Sequence, residues 1–445
     1  MIVDPQVSAA LRTAADAVRG ALGVEVGDRV EDALRRTLTD TITLDEDGSA
    51  FVITGDIPAM WLRDSTTQML PYLRFVHACP PLADVLVGVV RRQFRSIEHD
   101  PYANAVNRSA TGAHHDDRDL CDDPSVWEQK YEVDSLAYPV QFAHRIWRAT
   151  GRTDLFDERA HRVLRTVVDH LRVEQDHDRS TYRFVRDVGI STETLAREGR
   201  GTPVAPTGMT WCGFRPSDDA CTYGYNVPEN LHAAQALLAL ADLARQVLGD
   251  ERLADDADTL RAEIMAGVRE HGVVEHDGER VYAYEVDGLG GVVLMDDANT
   301  PSLLSLPIDA PDVLDPEVTR ATRRMVLGPE NPYWYSGTAA SGIGSQHTEP
   351  NRVWPIALCV EGLTGTAERR RELVDVLLAT DAGTGRMHES FDVDDPTAFS
   401  REWFSWADAM FCELALTATD DVTAVTVSAA AAPRPARASA STSTR

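Results

Sequence analysis

The chain alternates between amphipathic stretches and long aromatic-rich connections. In 134–151, Leu136, Val140, Ala143, Ile146 and Trp147 recur at spacings of three and four, as on a helix with one apolar face. Asp134 is placed to cap its start and Gly151 to stop it. Leu231, Ala234, Leu238, Ala241, Ala244 and Leu248 repeat the pattern up to Gly249. The same period runs through 85–97, 155–175, 252–268, 314–326, 354–363, 367–380 and 404–418. Stretches with strand character are few: Ala50–Ile53, Thr181–Val185 and Arg280–Glu285. The pattern predicts a nearly all-α chain of about twelve helices in consecutive pairs.

The connections 99–127, 187–224, 283–301, 328–351 and 383–403 are too long to be simple turns, and they hold much of the Trp and Tyr. Loops of that length are functional or disordered, and aromatics argue against disorder. No break in composition divides the first 420 residues, so a single domain is expected over 1–420. The segment Ala429–Arg445 lacks large apolar residues, and a disordered tail is expected within 421–445.

Charge narrows the classes further. Against 43 Lys and Arg stand 71 Asp and Glu, a net charge of −28. A field of that sign disfavours nucleic acid, anionic membrane and polyanionic substrates as partners and suits a neutral or cationic ligand. No run of 18 apolar residues predicts a membrane span. The N-terminus lacks the basic and apolar regions of a signal peptide, so a cytoplasmic protein is expected. The six cysteines form no CxxC pair, which predicts free thiols and no zinc site.

Six loop-borne clusters could carry chemistry. In Thr54–Ser65, Trp61 offers a stacking face, and Arg63 beside Asp64 makes a fork for vicinal hydroxyls. In Val126–Leu136, Trp127 could line a pocket, and Glu128 and Glu132 share a face only if the helix starts early. In Gly213–Asn230, Arg215 precedes the adjacent acids Asp218 and Asp219, whose pKa values could be pushed apart to keep one as an acid. Asp296 and Asp297 could bind a cation or a hydroxyl-rich ligand, although one acidic pair is far from a calcium loop. His347 follows a Gly-rich turn without a nucleotide-binding pattern. Glu389, between His388 and Ser390, can be aimed into a cavity by its loop. Capping and buried ion pairs explain any one of these clusters equally well. Together they are the equipment of a carbohydrate site: stacking faces, polar forks and two working carboxyls.

The ordered motifs TGDIPAMWLRDS, WEQKYEVDSL, FRPSDDA, MDDANTPSLLSLP, GIGSQHT and MHESF resemble glycoside hydrolase family 125 over about residues 30–418. The resemblance implies an (α/α)6 barrel of two concentric helix rings. It implies an exo-acting α-1,6-mannosidase that inverts the anomeric centre without a metal or other cofactor, with an α-mannoside as its partner. It implies a general acid at Asp218 or Asp219, with a lean to Asp219, and a general base at Glu389. Trp61, Arg63, Asp64, Trp127, Arg215, Asp296, Asp297, His347 and His388 are then the candidate sugar-binding residues. The chain departs from the family pattern at Gln129, at Gln346 and in the run CTYGYNVPEN, near loops that shape substrate preference. Another (α/α)6 enzyme acting on a different sugar, a non-catalytic glycan-binding protein and a calcium-dependent mannosidase are the competing readings.

Overall fold

The computed structural model describes residues 3–431. Its helices are α1 (Pro5–Leu22), α2 (Val24–Arg36), α3 (Leu62–Thr67), α4 (Pro80–His99), α5 (Asp134–Thr150), α6 (Glu158–Val173) and α7 (Ala196–Gly199). The second half adds α8 (Val227–Leu243), α9 (Glu251–Gly267), α10 (Leu306–Asp309), α11 (Pro316–Val326), α12 (Pro355–Leu363), α13 (Ala367–Ala379) and α14 (Ser405–Ala431). The helix starts follow ordinary capping chemistry. The carboxylates of Asp4, Asp157, Asp250 and Asp315 accept from backbone N–H groups in the first turn. At the other end of α5, Gly151 takes φ 70°, a left-handed stop that glycine adopts without strain.

The most buried helices form an inner circuit. Helix α3 packs on α5, α5 on α8, α8 on α10, α12 on α14, and α14 returns to α3. Around them, α4 packs on α5 and α6, α6 on α9, and α13 on α12 and α14. This is the (α/α)6 barrel, and the helix-pair pattern of the sequence is its direct signature. Helices α8 and α12 show why such elements lie inside. Nearly every position of α8 is buried, polar ones included, whereas α6 and α11 bury one face and leave the other in water. The N-terminal α1 and α2, which the stripes in 85–418 did not include, pack on α14 and so tie the first helices to the last.

Strand character is confined to short ladders at the loop end. Ala50–Val52 pairs with Ile42–Leu44. Met60–Trp61, Ala105–Val106 and Val126–Glu128 form a three-stranded sheet. The expected strand at Thr181–Val185 is not formed. Tyr182 and Phe184 do alternate inward, but the Tyr182 hydroxyl donates to the Gln129 carbonyl and the segment joins no ladder. Helix α14 extends to Ala431, into the segment expected as a tail, and residues 432–445 lie outside the described residues. Among the described residues, no helix is long and apolar enough to cross a membrane.

The inner circuit should be the most sensitive part of the fold. Leu237 on α8 is fully buried, so Leu237→Ala should cost about 2–5 kcal/mol through lost burial and the cavity left behind. A denaturant midpoint unchanged from the parent protein would contradict this packing.

Candidate active site

At the loop end of the barrel lies a cavity of about 220 Å³. Its wall is built from several distant segments. The three-stranded sheet sets Trp61 and Glu128 on either side of Ala105, and both line the cavity. Arg63 follows on the first turn of α3, only 3% exposed. Its Nη1 donates to Glu132 Oε2 at 2.6 Å and to Asp134 Oδ2 at 3.2 Å, and its Nη2 donates to Asp218 Oδ1 at 3.3 Å. Asp64 Oδ1 lies 3.7 Å from Nε. Burial raises the Asp64 carboxyl to about 6 despite the charge of Arg63.

Asp218 sits at the tip of a hairpin closed by the Phe214–Ala220 bridge. Pro216 presets the turn, Asp218 N donates to the Arg215 carbonyl, and Arg215 N donates to the Asp219 carbonyl. Asp218 has φ 67°, a conformation that Asp tolerates better than most residues. Pro216, Ser217 and Asp218 line the cavity; Asp219 does not. Asp219 is 1% exposed, with Oδ1 3.6 Å from His347 Nδ1. The sequence reading leaned to Asp219, but the side chain on the wall is that of Asp218.

Glu389 enters from the opposite part of the chain. The ladder of Ser390–Asp392 with Phe399–Ser400 brings Ser400 and Arg401 beside it. Its Oε2 accepts from Ser400 Oγ at 2.9 Å and its Oε1 from Arg401 Nη1 at 3.3 Å. Arg401 is itself held by Asp56 and Thr54, so the carboxylate orientation depends on the TGD segment. Trp354, Phe404 and Trp406 complete the apolar wall. Around the same cavity Trp61 Nε1, Arg63 Nε, Ser217 Oγ and Trp406 Nε1 have no protein hydrogen-bond partner.

Other predicted site residues support the wall from behind. Arg215 pairs with Glu285 at 2.6 Å and donates to Gln346 at 2.9 Å, which anchors the hairpin. Asp296 accepts from the backbone N–H groups of Leu303 and Leu304, and Asp297 accepts from Asn299 N and Ser345 Oγ. Burial raises Asp296 to about 8. His388 stacks on Phe399, and its two ring nitrogens meet the Glu402 and Asp381 carbonyls. Trp127 packs beside Trp61. None of these five lines the cavity, whereas Trp61, Arg63, Asp64, His347 and Glu389 do. The sequence reading missed Arg401, Asn299, Trp354 and His115 on the wall. Only the position of Arg401 in the run SREWFSW, just after Phe399, hinted at a cation near Glu389.

Residues 24–416 match the family of metal-independent α-mannosidases, glycoside hydrolase family 125. The chain belongs to this family. A curated relative, the meiotically up-regulated gene 157 protein of Schizosaccharomyces pombe, is 38% identical over 87% of this chain and 81% of its own. A family member from Streptococcus pneumoniae, solved as a non-productive substrate complex with α-1,6-mannobiose, is 45% identical. It superposes with a TM-score of 0.90 over 94% of this chain and all of that one. A glucoamylase from Saccharomycopsis fibuligera superposes with a TM-score of 0.58 over 90% of this chain and 95% of that one. At 12% identity that likeness shows the fold alone.

One acidic trio in this α-mannosidase could suggest a metal. Glu193, Asp219 and His347 each bring a donor atom within 4.8 Å of the others. Glu193, however, is bound by Lys130 at 2.9 Å and Arg186 at 2.8 Å, so its charge is already matched. Partial desolvation disfavours the charged ring of His347, whose side chain is 31% exposed, but Asp219, with Glu389 and Asp218 nearby, raises it to about 9. The three groups already have protein partners, and the family this chain matches is described as metal-independent.

The contribution of His347 to stability should be complete below its ordinary pKa of 6.5 and lost as the pH rises through about 9. In Asp219→Asn the ring should titrate well below 9, because the carboxylate that favours its charged form is gone. An NMR titration of the ring protons reads this directly. An unchanged midpoint in the variant would remove Asp219 as the cause.

Proposed function

We propose that this protein is an exo-acting α-1,6-mannosidase that releases non-reducing terminal mannose with inversion. Asp218 is the general acid and Glu389 the general base. The observation that carries this reading is that two carboxyls from distant segments, in different polar settings, open into one cavity. Inverting hydrolysis needs such a pair on opposite faces of the sugar, about 6.5–9.5 Å apart so that water fits between one of them and the ring. The choice of α-1,6 linkage is supported by the α-1,6-mannobiose complex of the family member that is 45% identical.

The roles follow from the surroundings. Asp218 lies beside Arg63 at the edge of the carboxyl cluster, where a proton can be shared with a neighbour and delivered to the leaving oxygen. Glu389 is aimed by Ser400 and Arg401, which leaves it set to take a proton from water. Trp61, Trp354, Phe404 and Trp406 give the sugar its apolar walls, and the polar side chains of Asp64, Asn299 and His347 on the same wall are offered to its hydroxyls. Bound on one side by these walls, the terminal mannose enters and the rest of the glycan stays outside.

The first sugar released from α-1,6-mannobiose should be β-mannose by NMR; early α-mannose would mean retention and sink the mechanism. Glu389→Gln should lower kcat by about 10²–10⁴-fold. Asp218→Asn should depress hydrolysis of mannobiose far more than that of 2,4-dinitrophenyl α-mannoside, whose leaving group needs no acid. If Asp219→Asn showed that contrast and Asp218→Asn did not, the acid would be Asp219.

A further inference from the structure

The acid's surroundings carry an imbalance. Four carboxyl groups, those of Asp64, Glu132, Asp134 and Asp218, face the single guanidinium of Arg63. The next cations do not restore the balance. Lys130 is committed to Glu193 and Glu128, and Arg186 to Asp119, Glu128 and Glu193. Glu229 adds another buried carboxyl on α8, where it accepts from the N–H groups of Val133 and Asp134. From the remaining side His347 faces Asp218 as a cation.

Within this cluster Glu132 and Asp218 are held side by side by shared donors: Asn104 Nδ2 donates to both, at 3.3 and 3.4 Å, and the Arg63 guanidinium donates to both, at 2.6 and 3.3 Å. Two carboxyls gathered on the same donors repel one another as a pair of anions, which favours a state in which one of them keeps its proton. The two are unequally placed. The Glu132 side chain is wholly buried, and that of Asp218 is 23% exposed on the cavity wall.

We propose, on the reading that Asp218 is the general acid, that Glu132 is its proton partner. The two hold one proton in the resting enzyme, and Asp218 hands that proton to the leaving oxygen. Glu132 touches no substrate; it is a positioning residue that keeps the acid loaded. The arrangement answers a specific difficulty. A lone aspartate beside Arg63, Lys130 and His347 would be ionised at neutral pH and useless as an acid. Burial favours the neutral form of both groups. The neighbouring cations, Arg63 foremost, nevertheless hold Asp218 low, while Asp218 and Asp134 help hold Glu132 high against Arg63. The pair titrates as one unit.

The protons balance over one turnover. Cleavage of the glycosidic C–O bond takes the shared proton to the leaving oxygen and leaves both carboxyls ionised. The attacking water forms the new C–O bond and gives its proton to Glu389. Exchange through solvent then returns one proton from Glu389 to the pair.

The test is Glu132→Gln in the full chain, with kcat/KM measured against pH on α-1,6-mannobiose and on 2,4-dinitrophenyl α-mannoside. The basic limb on mannobiose should move at least one pH unit toward acid. At pH 7 the mannobiose-to-aryl rate ratio should fall at least tenfold. A profile that superimposes on the parent, or equal losses on both substrates, would overturn the proposal and leave Glu132 as a support for Arg63. If Glu132→Gln melts below the assay temperature, Glu132→Asp gives the same readout. Its shorter side chain should shift the limb the same way, and no shift would again overturn the proposal. Asp218→Asn separates the two levels: if it leaves the mannobiose-to-aryl ratio unchanged, the acid assignment itself fails, whatever Glu132 does.

Discussion

One guanidinium organises the floor of the cavity. Arg63 is almost wholly buried, and its partners arrive from three segments that are far apart in sequence: its own helix, the start of α5 and the Asp218 hairpin. Removing one member of such a buried cluster costs more than the pair is worth, because it strands the others without compensation. The barrel must therefore close in one register. Helix α3 must meet α5, and the hairpin must fold over both, before these charges leave water. In return the cluster ties the inner circuit to the loops, which helix packing alone would leave free.

The helical scaffold was legible because each long helix shows its buried face in its own letters. The stripes of 134–151 and 231–248 do mark the helices α5 and α8, but both are buried on nearly every side rather than on one face, because they line the inside of the barrel. Helix α1 was harder to see, since Val7, Leu11, Ala15 and Val18 give one small or branched residue per turn. Thr181–Val185 misled for a physical reason. Alternation reports which side chains point inward, and a ladder partner is a separate condition that one segment cannot reveal.

The site was legible as a set of loops and less so residue by residue. In extended chain, neighbouring side chains point to opposite sides. Glu389 therefore faces the cavity while His388 lies against Phe399; at the turn it is the left-handed backbone of Asp218 that sends its side chain to the wall while that of Asp219 lies beside His347. Letters that stand together in a motif divide between chemistry and support. The role of Arg401 depends on the pairing of Ser390 with Ser400, a tertiary fact absent from the local pattern.

The left-handed backbone at Asp218 has a consequence for how this site can vary in evolution. Glycine, asparagine and aspartate adopt that conformation at low cost, and other side chains pay for it in strain. The alphabet open to the position is thus set by backbone geometry before chemistry is consulted, and aspartate is the member of that short alphabet that can carry a proton. A lineage that lost the activity would drift first to asparagine or glycine here, keeping the loop intact. Under the proposal that Asp218 is the general acid, the residue found at this position in a related sequence is a compact record of whether its hydrolytic function has been kept.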